Sequence, residues 1–252
     1  MKKVALFLGG VQKGGTSALH AYLARHPSLS PPATKEPHHF DDETIDWSAP
    51  DHAAYHALWP ATDGARLRYD ATPIHGFWPG ALERIRAYNP DARLVFLFRD
   101  PFARAWSHWC MEFARGAESL PFATALREGR ARLPADCPRD PAWRVFSYVE
   151  RGYYGRQVAA ALGLFAREQL LFLTSEALAR DHGETLARIA RFCGIAPFPA
   201  LAPLRENPRP QLAWPGLPTR EDRALVAHEL ADDLVLFRAL TGIDTTGWTG
   251  AL

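Results

Sequence analysis

The run VALFLGGVQKGGTSALHAYL, residues 4–23, constrains the fold of this chain more than any other stretch. Its apolar part, residues 4–8, falls far short of the roughly twenty residues that span a bilayer. Two lysines precede it, as in a signal peptide, yet it runs into glycines and the polar Gln12 and Lys13 with no small-residue cleavage site. It reads as a buried first strand. The glycines turn the chain, and residues 16–25 then set Leu19, Tyr22 and Leu23 on one stripe of a helix.

Three more short apolar runs, at 68–71, 94–98 and 170–173, have the character of strands covered on both faces. Helical periodicity separates or follows them at 81–88, 102–113, 153–165, 184–192 and 220–240, and Asn89-Pro90 stops the first of these. Strand alternating with helix predicts an α/β fold, a P-loop-like parallel sheet flanked by helices on both faces. A chain of 252 residues, 47% of them hydrophobic, buries one sizeable core, so a single domain over 1–252 is expected. Residues 116–144 read as a surface excursion with one short helix, and 196–218 as a proline-rich connection.

Charge and cysteine content narrow the function. With 29 basic and 28 acidic residues the chain lacks the net basic footprint of a nucleic-acid partner, so any anion site is local. Cys110, Cys137 and Cys193 are odd in number and far apart, without C-x-x-C spacing. That pattern suggests neither a disulfide framework nor a zinc site, and fits a reducing cytoplasm. His38 and His39 stand beside Asp41 and Asp42 with ligand chemistry. Neighbours on an extended segment point to opposite faces, so one histidine is expected toward a site and the other in packing, and no metal is expected.

A glycine turn between strand and helix offers backbone N–H groups and the positive end of a helix dipole to an anion. The triphosphate loop of kinases and ATPases needs its lysine directly before the hydroxyl residue that opens the helix. Here Lys13 lies inside the turn, three residues before Thr16, and no lysine follows Gly15. Two readings stand open: a phosphate cradle with an unusual lysine, or a tight turn with Thr16 as N-cap. A second constellation, LFRDPFARAWSHW, ends a strand at Arg99, caps a helix with Asp100 and Pro101, and carries Ser107 two turns on. Arg99 and Ser107 suit one anion; the bland alternative pairs Arg99 with a carboxylate.

Taken together, GVQKGGTSAL, FRDPFARAWSHW and KEPHHFDD at 35–42 resemble the sulfotransferases that use 3′-phosphoadenylyl sulfate. The resemblance is to the heparan sulfate 3-O- and N-sulfotransferase-like group and its bacterial relatives, and weaker matches extend it over nearly the whole chain. It implies that Lys13, Gly14, Gly15, Thr16 and Ser17 hold the 5′-phosphosulfate, that Arg99 and Ser107 hold the 3′-phosphate, and that Glu36 is the catalytic base. On its own chemistry Glu36 reads as a solvated loop carboxylate, and it is the resemblance that makes it a base. Where the family has E-K-T-P this chain has Asp70-Ala71-Thr72-Pro73, so a second lysine is missing, and His38, His39 or an arginine stands in for it. Arg205 and Arg209 are candidates for the late loop over the 3′-phosphate.

The implied reaction transfers a sulfuryl group in line to a hydroxyl or amine of a carbohydrate or small-metabolite acceptor, without a metal, releasing adenosine 3′,5′-bisphosphate. Lys13 then stabilises charge on the bridging oxygen, and Glu36 takes the acceptor's proton if partial burial brings its pKa nearer neutrality. Trp106 and Trp109 are expected to pack under the sheet, and Trp214 to stack on adenine or acceptor. Tyr153 and Tyr154 are read either as acceptor-cleft residues or as ordinary packing. The arginines at 127, 130, 132, 139 and 144 form either a basic acceptor cleft or a solvated face. The rival readings are an atypical P-loop kinase, which requires magnesium, and a nucleotide-binding module without catalysis.

Overall fold

The computed structural model describes residues 2–204 and 212–248. In chain order its elements are β1 (Leu6–Gly10), α1 (Thr16–Leu23), β2 (Leu29–Ser30), α2 (Ala53–His56), β3 (Leu67–Asp70), α3 (Ala81–Tyr88), β4 (Arg93–Phe98), α4 (Pro101–Ala114), α5 (Phe122–Glu128), α6 (Ala142–Val145), α7 (Tyr154–Leu164), β5 (Leu170–Thr174), α8 (Ser175–Arg180), α9 (His182–Cys193) and α10 (Arg220–Thr241). Two compact units divide them: Met1–Phe98 with Ala161–Asn207, and Arg99–Ala160 with Pro208–Leu252.

The first unit holds the whole sheet, five strands in the order β2-β3-β1-β4-β5, every pair parallel. Side chains alternate across it as the pleat requires. Leu6, Leu8, Val95, Leu97 and Leu173 join Leu19 and Leu23 of α1 and Leu186 and Ile189 of α9 in one core. Phe7 turns the other way, 5.6 Å from Phe40, which in turn lies 5.2 Å from Tyr88 of α3. Helices therefore cover both faces, as the apolar runs predict.

The boundaries differ from the hydropathy in instructive ways. The first strand begins at Leu6 and continues through Gly9 and Gly10, because a register shift between Leu8 and Gly10 passes over Gly9 and lets Gly10 pair with Phe96 of β4. Strand β2 is only Leu29 and Ser30, defined by its register with Leu67 and Arg68 and too short to show in the sequence. Helix α8 also went unread. Thr174 caps its start, and Asp181 both ends α8 and caps α9, so two short helices share one hinge residue.

The second unit is helical. Asp100 caps α4 by accepting from the Ala103 N–H at 2.9 Å, with Pro101 in the first turn, as expected. Residues 116–144 contain α5 followed directly by a 3₁₀ turn at Gly129–Arg132, rather than a single short helix. Asp233 of α10 accepts from the N–H groups of Gly155 and Arg156 at 2.7 and 3.0 Å, so one buried carboxylate satisfies the start of α7. Trp106 and Trp109 stack on each other at 4.9 Å and meet Phe122 and Trp214. Within this unit their partners are helical and loop aromatics, and Trp214 is itself engaged in that cluster.

Candidate active site

In a parallel sheet the chain leaves every strand at the same edge, and open α/β sheets hold their ligands there. The segments after Gly10, Ser30 and Asp70 are therefore candidates together. The glycine loop after β1 is a tight turn in which the Gly14 N–H donates to Val11 O at 2.9 Å, while the Val11 N–H donates to Leu97 O at 3.1 Å. A Cβ on Gly14 would lie 2.2 Å from Leu97 O and 2.9 Å from Val11 O, so only glycine fits. Gly14→Ala is expected to cost at least about 1–3 kcal/mol, because the clash is with backbone that cannot rotate away. A lowered midpoint of chemical unfolding at unchanged m-value checks this.

The residue capping α1 is Gly15, at φ 94° and without a side-chain cap, and not the threonine the sequence suggested; Thr16 is the first helical residue. The first N–H groups of a helix have no partner within it, and a glycine cap brings no side chain to supply one. Thr16, buried, and Ser17, half-buried, stand at this start of α1.

Residues 35–41 form a second loop in the same unit. Lys35 contacts the Glu36 carboxylate directly. His38 Nε2 lies 3.7 Å from Glu36 Oε2, and its Nδ1 is 2.8 Å from Asp41 Oδ2. Burial pushes the Glu36 pKa up, but hydrogen bonds and charge from His38 and Lys35 outweigh it and hold it at about 2. The expectation of a burial-raised glutamate is therefore corrected. His38 is pushed up to about 9 by Asp41 and then Glu36, so at neutral pH an ionised glutamate faces a protonated histidine. Asp41 is fully buried; its desolvation is overcome by His38 and His75, which keep it well below the usual carboxylate range.

His39 goes the other way. It stacks on Tyr55 at 4.5 Å and accepts or donates across 2.8 Å to His52, and burial followed by the charge of His52 presses its pKa down to about 4. One histidine faces the acidic cluster and its neighbour packs, as alternation predicts. Among the described residues, no group of three or more His, Cys, Asp or Glu is arranged to hold a metal ion.

The segment after β3 ties the two loops together. The Gly76 N–H donates to Gly9 O at 2.7 Å, and Thr72 Oγ1 lies 3.5 Å from the His38 N–H. Thr72 is fixed by Asp70, whose Oδ1 accepts from its hydroxyl at 2.6 Å and its N–H at 2.9 Å while Oδ2 accepts from Tyr55 at 2.8 Å. Lys13, Glu36 and His38 are the described non-glycine residues with positive φ, at 67°, 57° and 55°. Left-handed backbone is costly for such side chains and concentrates where function demands a particular aim.

The second unit carries Arg99 and Ser107, both half-buried. The Arg99 carbonyl accepts from the Tyr154 hydroxyl at 2.9 Å, and Tyr154 is wholly buried, which makes it packing rather than cleft lining. Arg130 pairs with Glu150 and Glu229 and donates to the Tyr153 hydroxyl. Arg127 pairs with Asp222, and Arg132 with Glu118. These three arginines are spoken for by carboxylates and tyrosine and do not form the open basic cleft considered above. Arg205 and Arg209 lie outside the described residues.

Sequence reading missed Asp41 as a partner of His38, along with Thr72, Asp70 and Tyr55. The H-x-x-D spacing was the one available signal for the first; the others are brought in from β3 and α2 by folding. A glycine-capped helix start after a tight turn and an ionised carboxylate on a loop with left-handed backbone are the two parts of the candidate site that this α/β unit presents. The chain belongs to the sulfotransferase family, whose profile matches residues 35–200. It is 30% identical over 190 residues to heparan sulfate glucosamine 3-O-sulfotransferase 6 of Homo sapiens, covering 74% of this chain and 51% of that protein. Against the human 3-O-sulfotransferase 3B1 the values are 29% over 189 residues, 74% and 45%. The chain thus spans about half the length of these relatives. A sulfotransferase from Alicyclobacillus acidocaldarius superposes with a TM-score of 0.80 at 25% identity, covering 98% of this chain and 99% of that one. Among the described residues no helix is long and apolar enough to cross a membrane.

Proposed function

We propose that residues 1–252 form one sulfotransferase domain that uses 3′-phosphoadenylyl sulfate and transfers to a hydroxyl or amine of a carbohydrate or small metabolite, with Glu36 as base. The observation that carries this is the Glu36 carboxylate, kept ionised by Lys35 and a protonated His38 on a loop tied through Thr72 and Gly76 to the glycine turn. The glycine-capped start of α1 fits a phosphosulfate. Gly14, Gly15, Thr16 and Ser17 would hold it, and Arg99 and Ser107 a 3′-phosphate. When bound, the donor supplies an activated sulfuryl group whose departure needs little push from the nucleophile.

A glutamate at about 2 is a weak base for an alcohol. In a loose transfer, however, the acceptor proton becomes acidic only as the new bond forms, so a weak, correctly aimed carboxylate suffices to collect it. His38 holds that carboxylate in place, Asp41 holds His38, and Lys13 places positive charge beside the bound anion. The three cysteines are free, in keeping with a cytoplasmic setting. Adenosine 3′,5′-bisphosphate at about a hundred times its Kd contributes about 2.7 kcal/mol. For a chain of this size it is expected to raise Tm by roughly 5–10 °C. ATP with magnesium is expected to do much less; stabilisation by ATP–magnesium and not by the bisphosphate would favour a kinase and sink this reading.

A further inference from the structure

His75 is wholly buried, and among the described residues neither ring nitrogen makes a hydrogen bond. Its Nε2 stands 3.6 Å from Asp41 Oδ1, the oxygen on the side of the carboxylate away from His38. The imidazole is clamped edge-to-face between Phe7 at 6.3 Å and Phe40 at 5.8 Å, and its backbone N–H donates to Thr72 O at 3.5 Å. A buried polar ring in an aromatic wall is costly unless a nitrogen has a partner. Among the described residues the carboxylate that its Nε2 approaches is Asp41, and a shift of a few tenths of an ångström completes the bond.

We propose that His75 is a positioning residue for this site: its Nε2–H fixes the Asp41 carboxylate from behind, completing a row Glu36–His38–Asp41–His75. The proposal rests on the reading of Glu36 as base. Each member orients the next. With His75 donating to Oδ1, Asp41 is held to present Oδ2 to His38, and His38 is held protonated toward Glu36. The groups around the row are few. His75 faces Asp41 and, farther off on the same loop, the neutral His39, while β1 offers it only the Phe7 ring. His38 faces Glu36 and Asp41, with Lys35 beyond Glu36 and Thr72 at its backbone N–H. Asp41 is followed by Asp42, which is bonded to Thr44.

The test is histidine NMR on the intact protein, followed by turnover. In the wild type, ¹⁵N shifts are expected to show His75 as the Nε2–H tautomer; a bare Nε2 facing Asp41 would overturn the proposal, and this arm needs no variant. In His75→Phe the titration midpoint of His38, near 9 in the wild type, is expected to fall by at least about one pH unit as Asp41 loosens. His75→Gln, which places an N–H at a similar reach, is expected to restore most of that shift. The alkaline limb of kcat/KM should move with the midpoint. An unchanged His38 midpoint in His75→Phe refutes the row. Should Glu36→Gln stay fully active while the midpoint moves as stated, the base assignment fails and the role of His75 toward Asp41 and His38 stands.

Discussion

Glu36→Gln is expected to lower kcat by about 10²–10⁴-fold, the usual worth of a positioned general base. Glutamine keeps the shape and one acceptor oxygen but cannot take up a proton at neutral pH. It also removes the negative charge that helps hold His38 protonated. Binding of adenosine 3′,5′-bisphosphate should change little, because the α1 start and the glycine turn are untouched. A variant with wild-type kcat would refute the assignment, and one that loses bisphosphate binding in step with turnover would make Glu36 a structural residue. The wild-type stability should carry the signature of the pair. His38, with its pKa raised from 6.5 to about 9, contributes stability fully below 6.5 and loses it as pH rises through 9. Glu36, lowered from 4.5 to about 2, contributes above 4.5 and loses it as pH falls through 2. The alkaline limb reports the contacts of His38 with Asp41 and Glu36, the acid limb those of Glu36 with His38 and Lys35, and the exposure of His38 keeps their worth modest.

Lys13→Ala is expected to cost about 10²–10³-fold in kcat, the effect of removing one preorganised donor from a developing charge. The backbone supplies an internal control. Lys13 sits at φ 67°, where any L side chain pays roughly 1–2 kcal/mol that glycine avoids. Lys13→Gly should therefore fold more stably than Lys13→Ala yet be equally slow. If the glycine variant recovers turnover, the loop's conformation and not the ammonium matters. If the alanine variant turns over like the wild type, the lysine has no chemical part.

Much of the architecture was legible in the sequence because it depends on near neighbours. The glycines and the stripe Leu19, Tyr22, Leu23 announce β1, its turn and α1, and Asp100-Pro101 announces the start of α4. What was not legible depends on distant neighbours. Strand β2 exists through its pairing with β3, nearly forty residues later. Arg127 and Arg130 read either as part of a basic cleft or as a solvated face until folding delivered Glu150, Asp222 and Glu229 to them.

The sequence by itself determined the order of strands and helices, the glycine turn with its displaced lysine, and the residue types available to the site. Only the tertiary structure decided their states. Whether Glu36 is a neutral acid or a fixed anion follows from His38 and Lys35, and His38 in turn from Asp41 and Glu36, while the Asp70–Thr72 turn that arrives from β3 lies at the His38 backbone N–H. The reason is physical: secondary structure is set by torsions and contacts a few residues apart, whereas the charge on a half-buried side chain is set by every donor and charge within a few ångströms, whatever its place in the chain.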